Sequence, residues 1–390
     1  MIVRKETGHR GLALALLIVS LASAAMGQGE RSIAERIASR EFPSVFQAWS
    51  RVENLPDANA IEGLARHDLA WNAISLCGLR WDTAPRGLAE KFEPASVRAA
   101  LQVRRKLLEL NPNLILIAEI RYRDAHCSFL PENHAWWLRD GQGRIVEGWA
   151  EGNFLRLDFG NPAFRRHVAR RAKAVIDSGV ADGILLDWWH EDDDRVTLIQ
   201  EIRAAIGDEP LIIANTNDRT APRTASYING FFMECYRSET TEDWQRIAHT
   251  LSWAEQHLRR PHVNCIEVWY HTSRRNLNLM RAVTTLTLTH SDGCCLFSDP
   301  NPLPTPDHLH DWYPFWDKSL GRPLSAAVRR GDGATQREFE KGTVVYNPMG
   351  NDPVEIAFNE MYVSRATGRC SRTHTLPACD GDIYLMPPDP

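Results

Sequence analysis

The sequence predicts an α/β fold, a (β/α)8 barrel of the TIM class with a small all-β domain at its C-terminal end. Near-continuous hydrophobic runs alternate with amphipathic helical segments, which is typical of a parallel sheet covered on both faces. Eight such runs fit within residues 40–322, which favours a closed barrel over an open sheet. No GxGxxG motif follows the first run, which disfavours a dinucleotide-binding sheet. Residues 323–390 hold short β-like runs separated by turn residues, and these predict the C-terminal domain.

The first half of the predicted barrel contains three strands and one long insertion. FPSVFQAW (42–49) is rich in strand formers, and DLAWN (68–72) is a weaker second run. A helix begins at Pro94, because proline suits a first helical turn. The apolar run NLILIAEIRY (113–122) is the third strand. The segment 123–159 is too long for a simple connection, so we expect an insertion at the barrel mouth.

The second half alternates more regularly. One helix begins at Pro162 and ends at Asp177, and another begins at Asp193 with acidic residues in its first turn, where the helix dipole favours them. Two further helices are predicted over 242–258 and 276–289. The five remaining strands are predicted at 183–189, 211–217, 230–236, 262–270 and 294–299.

Composition limits the possible functions. The chain has 390 residues, of which 43% are hydrophobic and 24% charged, and these ordinary globular proportions exclude a disordered or collagen-like protein. The formal net charge is −5 and no long basic run occurs, so we expect no nucleic-acid partner. Thirteen tryptophans favour a ligand with apolar faces, although core packing would explain them equally well.

The N-terminus predicts export. Three basic residues precede an uncharged apolar run over 12–25, and small residues follow it. This is the pattern of a secretory signal peptide, residues 1–27, cleaved before Gln28. The run is short for a membrane span, so we expect a secreted or periplasmic protein with no membrane association after cleavage.

The eight cysteines do not define their own pairing. Five lie in or beside apolar runs and are expected to be buried thiols: Cys77, Cys235, Cys265, Cys294 and Cys295. Cys370 and Cys379 flank a short polar loop and are the best disulfide candidate.

Acidic residues end most of the predicted strands. Active sites of this fold form at the carboxyl ends of the strands, so these residues should meet at one mouth. A ring of acids with interleaved aromatics suits glycoside cleavage, which needs one carboxylic acid as proton donor and one carboxylate as nucleophile or base. The alternative is that some acids only pair with Arg or His. The five strand-ending acids are Glu119, Asp187, Glu234, Glu267 and Asp299.

Asp187 and Glu234 are the candidate catalytic residues. Each follows a fully apolar stretch, where burial of a carboxylate is costly unless chemistry or pairing offsets it. Apolar neighbours raise the pKa of a carboxylic acid, which suits a general acid at Glu234. Glu119 and Glu267 are expected to be substrate ligands or charge partners, and Asp299 could be only a turn former.

The order of several motifs adds a resemblance. FPSVFQAW, LILIAEIRYRD, DGILLDWW, INGFFMECY and FWDKSLGRP…GTVVYNP resemble hypothetical glycosyl-hydrolase-like family 15, which is distinct from the glucoamylases. That family is similar in plan to endo-α-1,4-polygalactosaminidase-like barrels. The resemblance implies an extracytoplasmic carbohydrate-active barrel. In related barrels an Asp after strand four is the nucleophile and an acid after strand six is the acid/base, and Asp187 and Glu234 match these positions.

A poly- or oligosaccharide is therefore the expected partner, bound across the mouth. Carboxyl groups about 5–5.5 Å apart would imply retention of anomeric configuration, which we favour, and about 6.5–9.5 Å would imply inversion. The expected substrate contacts are Trp49, Trp71, Glu119, Tyr122, Trp188, Trp189, Asn215, Asn217, Tyr236, Arg237, Glu267, Trp269 and Asp299.

Other chemistries are less well supported. His308 and His310 have HxH spacing but follow the last strand, so no catalytic metal and no cofactor are expected. The acidic run 190–194 is better explained as a helix cap than as a cation site. No GxSxG motif indicates a serine nucleophile. A carbohydrate-binding barrel that has lost turnover remains the alternative function.

Overall fold

A computed structural model of the protein describes residues 30–55, 60–72, 75–299 and 308–387. The predicted signal peptide lies outside these residues. Eight parallel strands pair in chain order, and a bridge between Val45 and Cys295 joins the last strand to the first. The prediction of an eight-stranded parallel barrel is confirmed. The strands are Phe46–Ala48 (β1), Leu69–Asn72 (β2), Ile115–Glu119 (β3), Gly183–Leu186 (β4), Leu211–Asn215 (β5), Gly230–Cys235 (β6), Cys265–Trp269 (β7) and Cys294–Ser298 (β8).

Helices connect most of these strands. Asn161 and Thr240 cap two of them with their side chains, as expected for residues that accept from free N–H groups in a first turn. Among the described residues, no helix is long and apolar enough to cross a membrane. The helices are Ile33–Ala38 (α1), Ala60–Ala65 (α2), Pro94–Leu110 (α3), Pro162–Asp177 (α4), Asp193–Ile206 (α5), Thr241–His257 (α6) and Leu277–His290 (α7).

The barrel departs from a regular repeat at two places. Residues 216–229, between β5 and β6, contain turns and no helix. The predicted insertion carries a two-stranded antiparallel ribbon, Asp124–His126 with Phe154–Arg156. The strands are also shorter than their apolar runs, so residues 187–189 lie beyond β4.

Aromatic side chains fill the barrel interior. Phe46, Trp71 and Phe232 come from β1, β2 and β6, and they contact one another across the barrel. Trp71 lies 4.8 Å from each of the other two rings, measured between centroids, and Phe46 lies 5.9 Å from Phe232. All three are buried, so they form an apolar floor beneath the mouth.

The C-terminal part is an antiparallel all-β sheet, as predicted. Its six strands pair side by side in the order first, second, third, sixth, fourth and fifth along the chain. Phe339, Val344 and Tyr346 belong to the same hydrophobic core as the barrel, so the sheet packs directly on it. The strands are Val328–Arg329 (β9), Thr335–Phe339 (β10), Gly342–Asn347 (β11), Val354–Ser364 (β12), Cys370–Leu376 (β13) and Asp380–Leu385 (β14).

The structure corrects the disulfide prediction. All eight cysteines are free thiols, including Cys370 and Cys379. Cys370 is exposed and pairs across the sheet with Val363, whereas Cys379 precedes β14. The thiols of Cys235, Cys265, Cys294 and Cys295 are buried as expected, and Cys77 is partly exposed.

A buried ion-pair cluster fixes the bottom of the barrel. Asp182, just before β4, accepts the guanidinium groups of Arg36 on α1 and Arg104 on α3, the latter at 2.7 Å. It also accepts the Leu116 backbone N–H at 2.8 Å. One carboxylate therefore joins two helices to two strands.

Replacing this carboxylate should destabilise the fold. We expect Asp182→Ala to lower the free energy of unfolding by about 3–5 kcal/mol, because it removes the buried carboxylate of the cluster and leaves the two guanidinium groups paired with the half-exposed Glu30. Urea unfolding measures this change. The control is Asp208→Ala, which removes an exposed ion pair with Arg259 and should cost less than about 1 kcal/mol. Equal losses for the two variants would contradict the role of Asp182.

Candidate active site

The predicted carboxylate pair lies on either side of β5. Asp187 follows β4 and Glu234 lies in β6, while Asn215 ends the strand between them. The Asn215 amide Nδ2 donates to Asp187 Oδ1 and to Glu234 Oε2, each at 2.8 Å. Because both bonds start from one nitrogen, the two oxygens lie within about 5.6 Å, twice the bond length.

Burial controls the protonation of Glu234. Loss of hydration raises its pKa to about 8, and the charges of Glu267 and Asp187 act in the same direction. His308 and the Asn215 hydrogen bond act in the opposite direction. Glu234 therefore keeps its proton at neutral pH and can act as an acid. On the other side of Asn215, Asp187 Oδ1 accepts the Asn215 N–H as a hydrogen-bond acceptor.

Strained turns fix the segments that carry the pair. Four residues just after barrel strands have left-handed backbone: Trp49 (φ 39°), Trp188 (φ 53°), Asn217 (φ 54°) and His271 (φ 51°). Such conformations are costly for non-glycine residues and collect at functional sites. The Trp188 N–H donates to Asp187 Oδ1 at 2.9 Å, and Asn217 Nδ2 donates to the Glu234 carbonyl at 3.1 Å. Two of the four turns thus bond directly to the carboxylate-bearing residues.

A third carboxylate, Glu119, is buried at the end of β3. It accepts Trp49 Nε1–H at 3.1 Å, and Arg121 Nε lies 3.0 Å from its other oxygen. Burial raises the pKa of Glu119 to about 7, Arg121 lowers it, and the charge of Asp187 raises it. Glu119 is therefore electrostatically linked to Asp187, which is consistent with its predicted place in the mouth.

Glu267 is held by hydrogen bonds next to Glu234, its neighbour across β6 and β7. Ser298 Oγ donates to Glu267, and His308 Nδ1 lies 2.8 and 3.0 Å from its two oxygens. Ligand atoms of Glu234, Glu267 and His308 lie within 4.8 Å of one another, a spacing that a metal ion could bridge. Both Glu267 oxygens already accept hydrogen bonds, so we interpret His308–Glu267 as a buried pair whose charges act on Glu234.

Four of the predicted aromatic contacts have exposed or partly exposed rings at the strand ends. Trp188 is 48% exposed and Tyr236 38% exposed. Trp269 is half-buried and lies 6.0 Å from Tyr236 between ring centroids. Trp49 is also half-buried and packs on His308. Exposed aromatic surface of this kind can stack on the C–H face of a sugar. The sugar contacts of these four residues therefore stay predictions that their exposure allows.

Three other predicted contacts lie in the core. Trp71 is fully buried in the barrel interior, and Trp189 and Tyr122 are almost fully buried. The Tyr122 hydroxyl donates to the Trp188 carbonyl at 3.0 Å and accepts from Arg195 Nε at 3.1 Å. A ring without exposed surface cannot stack on a sugar, so we correct these three from substrate contacts to supports of the mouth.

Asp299 also has a different role from the one predicted. It is buried, and Arg274 Nε and Nη2 donate to its two oxygens at 2.7 and 2.8 Å. Both oxygens are thus occupied by a bidentate ion pair, and we correct Asp299 from substrate contact to structural anion. Arg237 remains a candidate substrate ligand. Its side chain is half exposed, and its ion pair with Asp218 is long, with 3.5 Å between Nη2 and Oδ1.

Some of the site could be found only from the structure. The sequence placed His308 in a candidate metal motif and gave no signal for its contact with Glu267, 41 residues away. Ser298 likewise resembled an ordinary strand residue. The acidic run 190–194 was correctly interpreted as a cap, since Asp192 accepts the Arg195 N–H at the start of α5.

Solved structures share this fold at low sequence identity. A maltogenic alpha-amylase from Thermotoga neapolitana superposes with a TM-score of 0.54 at 9% identity, covering 88% of this chain and 98% of its own. An alpha-amylase from Malbranchea cinnamomea gives 0.54 at 10% identity, with 91% and 97% coverage. An alpha-amylase from Lactobacillus plantarum gives 0.53 at 11% identity, with 90% and 99% coverage. At such identity these similarities establish the TIM-barrel fold alone.

Sequence comparison is more specific about the family. A comparison with curated proteins finds no match. The profile of the family described as hypothetical glycosyl hydrolase family 15 matches residues 119–343, which is more than half of the 390-residue chain and runs from the last residue of β3 to the start of β11. This range includes Asp187, Asn215 and Glu234. The chain therefore belongs to hypothetical glycosyl hydrolase family 15, and is a glycosidase built on a TIM barrel.

Proposed function

We propose that the protein is an exported glycosidase that cleaves O-glycosidic bonds of a poly- or oligosaccharide with retention of configuration. Asp187 is the nucleophile and Glu234 the acid/base. The observation that carries this proposal is the Asn215 amide, which bonds both carboxylates. The resulting limit of about 5.6 Å between the bonded oxygens is compatible with the carboxyl separation of about 5–5.5 Å in retaining enzymes, whereas inverting enzymes place the two groups about 6.5–9.5 Å apart.

The two residues would act in two steps. A free oxygen lone pair of Asp187 attacks the anomeric carbon, while Glu234 gives its proton to the glycosidic oxygen and the alcohol leaves. The sugar is then covalently bound to Asp187. In the second step Glu234, now ionised, takes a proton from water as that water attacks the anomeric carbon, and the Asp187 carboxylate is released. Glu234 regains its proton, so the cycle closes.

Export is part of the proposal and is supported by the N-terminal sequence. A basic segment, an uncharged apolar run over 12–25 and small residues near 27 match a secretory signal. Polysaccharides too large to enter a cell are then accessible substrates. The carbohydrate-binding barrel without turnover is the alternative, and the following experiment separates the two.

Removal of either carboxylate should abolish turnover. We expect Asp187→Asn and Glu234→Gln each to lower kcat by at least about 10²–10⁴-fold, since each loses a covalent or proton-transfer step. The measurement is release of reducing ends from a panel of plant, algal and bacterial polysaccharides. Asn359→Ala, an exposed position on β12, is the matched control and should keep full activity.

Activity of the Asp187 and Glu234 variants at the wild-type rate would contradict the assignment. Wild-type protein that binds a glycan of the panel but releases no reducing ends from any of them would support the binding barrel instead.

The pH profile should show the raised pKa of Glu234. The acid form exists below the pKa of about 8 and is lost as pH rises through it, so kcat/KM should fall above about pH 8. Because His308 lowers the pKa of Glu234, His308→Asn should move this alkaline limb to higher pH. His249→Asn, an exposed change on α6, should leave the limb in place. An unmoved limb in His308→Asn would show that His308 does not act on Glu234.

A further inference from the structure

Arg156, on the ribbon of the insertion, has unusual surroundings. Among the described residues it is the only arginine that is not exposed and whose side chain has neither a hydrogen bond nor an ion pair. Its Nε is buried without a partner. Arg171 and Arg203 also have a buried Nε without a partner, but their terminal Nη1 groups donate to backbone carbonyls, and the Arg156 guanidinium makes no such bond. A desolvated guanidinium without a partner is costly, and a ligand that supplies the missing acceptor would remove the cost.

The ribbon places Arg156 beside the candidate active site. Arg156 is in register with Asp124, so the two side chains lie on the same face of the ribbon. Asp124 accepts Arg123 Nη1 at 2.5 Å, and the Arg123 guanidinium lies 4.2 Å from the ring centroid of Trp188. Trp188 is adjacent to Asp187 in sequence and donates to it. Three residues, Asp124, Arg123 and Trp188, therefore link Arg156 to the proposed nucleophile.

Three arginines and three carboxylates lie along this path: Arg121, Arg123 and Arg156 with Glu119, Asp124 and Asp187. Arg121 and Arg123 both lie near Asp124, and Arg121 also pairs with Glu119. Burial lowers the pKa of Arg156, and the charge of Arg123 lowers it further, whereas Asp124 gives partial compensation. Arg121 and Arg123 each have a carboxylate within ion-pair distance, whereas the Arg156 side chain has no partner among the described residues, so Arg156 is the member of this group that can bind an anionic ligand.

We propose that this side of the mouth binds an anionic group of the glycan, a carboxylate or a sulfate on a sugar, through Arg156 with Arg123 beside it. This inference rests on the proposed function and adds its substrate class, an acidic polysaccharide. The planar guanidinium fork matches both carboxylate and sulfate oxygens, and charge-assisted bonds of this kind are the stronger ones in proteins.

Binding to glycans that differ only in charge tests the inference. Full-length Glu234→Gln protein, which should bind without turnover, is titrated calorimetrically with oligosaccharides of three polyuronates and their methyl esters, and of sulfated galactans and their desulfated forms. We expect the charged member of at least one pair to bind at least about tenfold more tightly. The uronate and sulfate arms identify which anion is recognised.

A second substitution locates the anion. Arg156→Gln in the same background should weaken binding of the charged member by about 10- to 100-fold and change the neutral member by less than about twofold. Arg166→Gln, which removes an exposed arginine of α4, is the matched control. The thermal midpoint of each variant verifies folding.

Two results would overturn the inference: no charged glycan binds more tightly than its neutral counterpart, or Arg156→Gln weakens both members equally. Hydrolysis of neutral glycans by the wild type would then leave the proposed glycosidase intact. The opposite result is charge-dependent binding through Arg156 with no release of reducing ends by the wild type from any glycan. It would support the anion site and refute the proposed glycosidase function.

Discussion

The Asn215 amide is the interaction on which the site depends. A single nitrogen at the end of β5 bonds one carboxylate on each neighbouring strand, so the geometry of the pair is set by three adjacent strands of one parallel sheet. The barrel supplies rigidity, because parallel pairing fixes where each strand ends. Left-handed turns after β4 and β5 then direct backbone and side-chain N–H groups to the same two residues.

Burial gives the pair its chemistry. The apolar floor of Phe46, Trp71 and Phe232 removes water from beneath the mouth, and a carboxylic acid on such a floor holds its proton more tightly. Glu234 becomes the acid for this reason, with His308 limiting the shift. The two carboxylates thus differ in role because their surroundings differ, although both end apolar strands.

The sequence was sufficient for the fold and for the carboxylate pair, but not for the rest of the site. Hydrophobic runs reveal where strands end, and the acids at those ends include Asp187 and Glu234. Periodicity cannot say whether a ring at a strand end turns inward, and Trp71 does so because the barrel closes around it. Nor can spacing reveal that His308 meets Glu267, since that contact depends on the path of a loop after the last strand.

The anomeric configuration of the first product tests most directly whether Asn215 holds the two carboxylates at the retaining distance. Proton NMR, recorded on the freshly released sugar before mutarotation, distinguishes the two anomers. The account predicts that the product has the same configuration as the cleaved bond, because Asp187 forms a covalent intermediate. A product of opposite configuration would contradict it, and would make Asp187 a base that activates water across a wider gap.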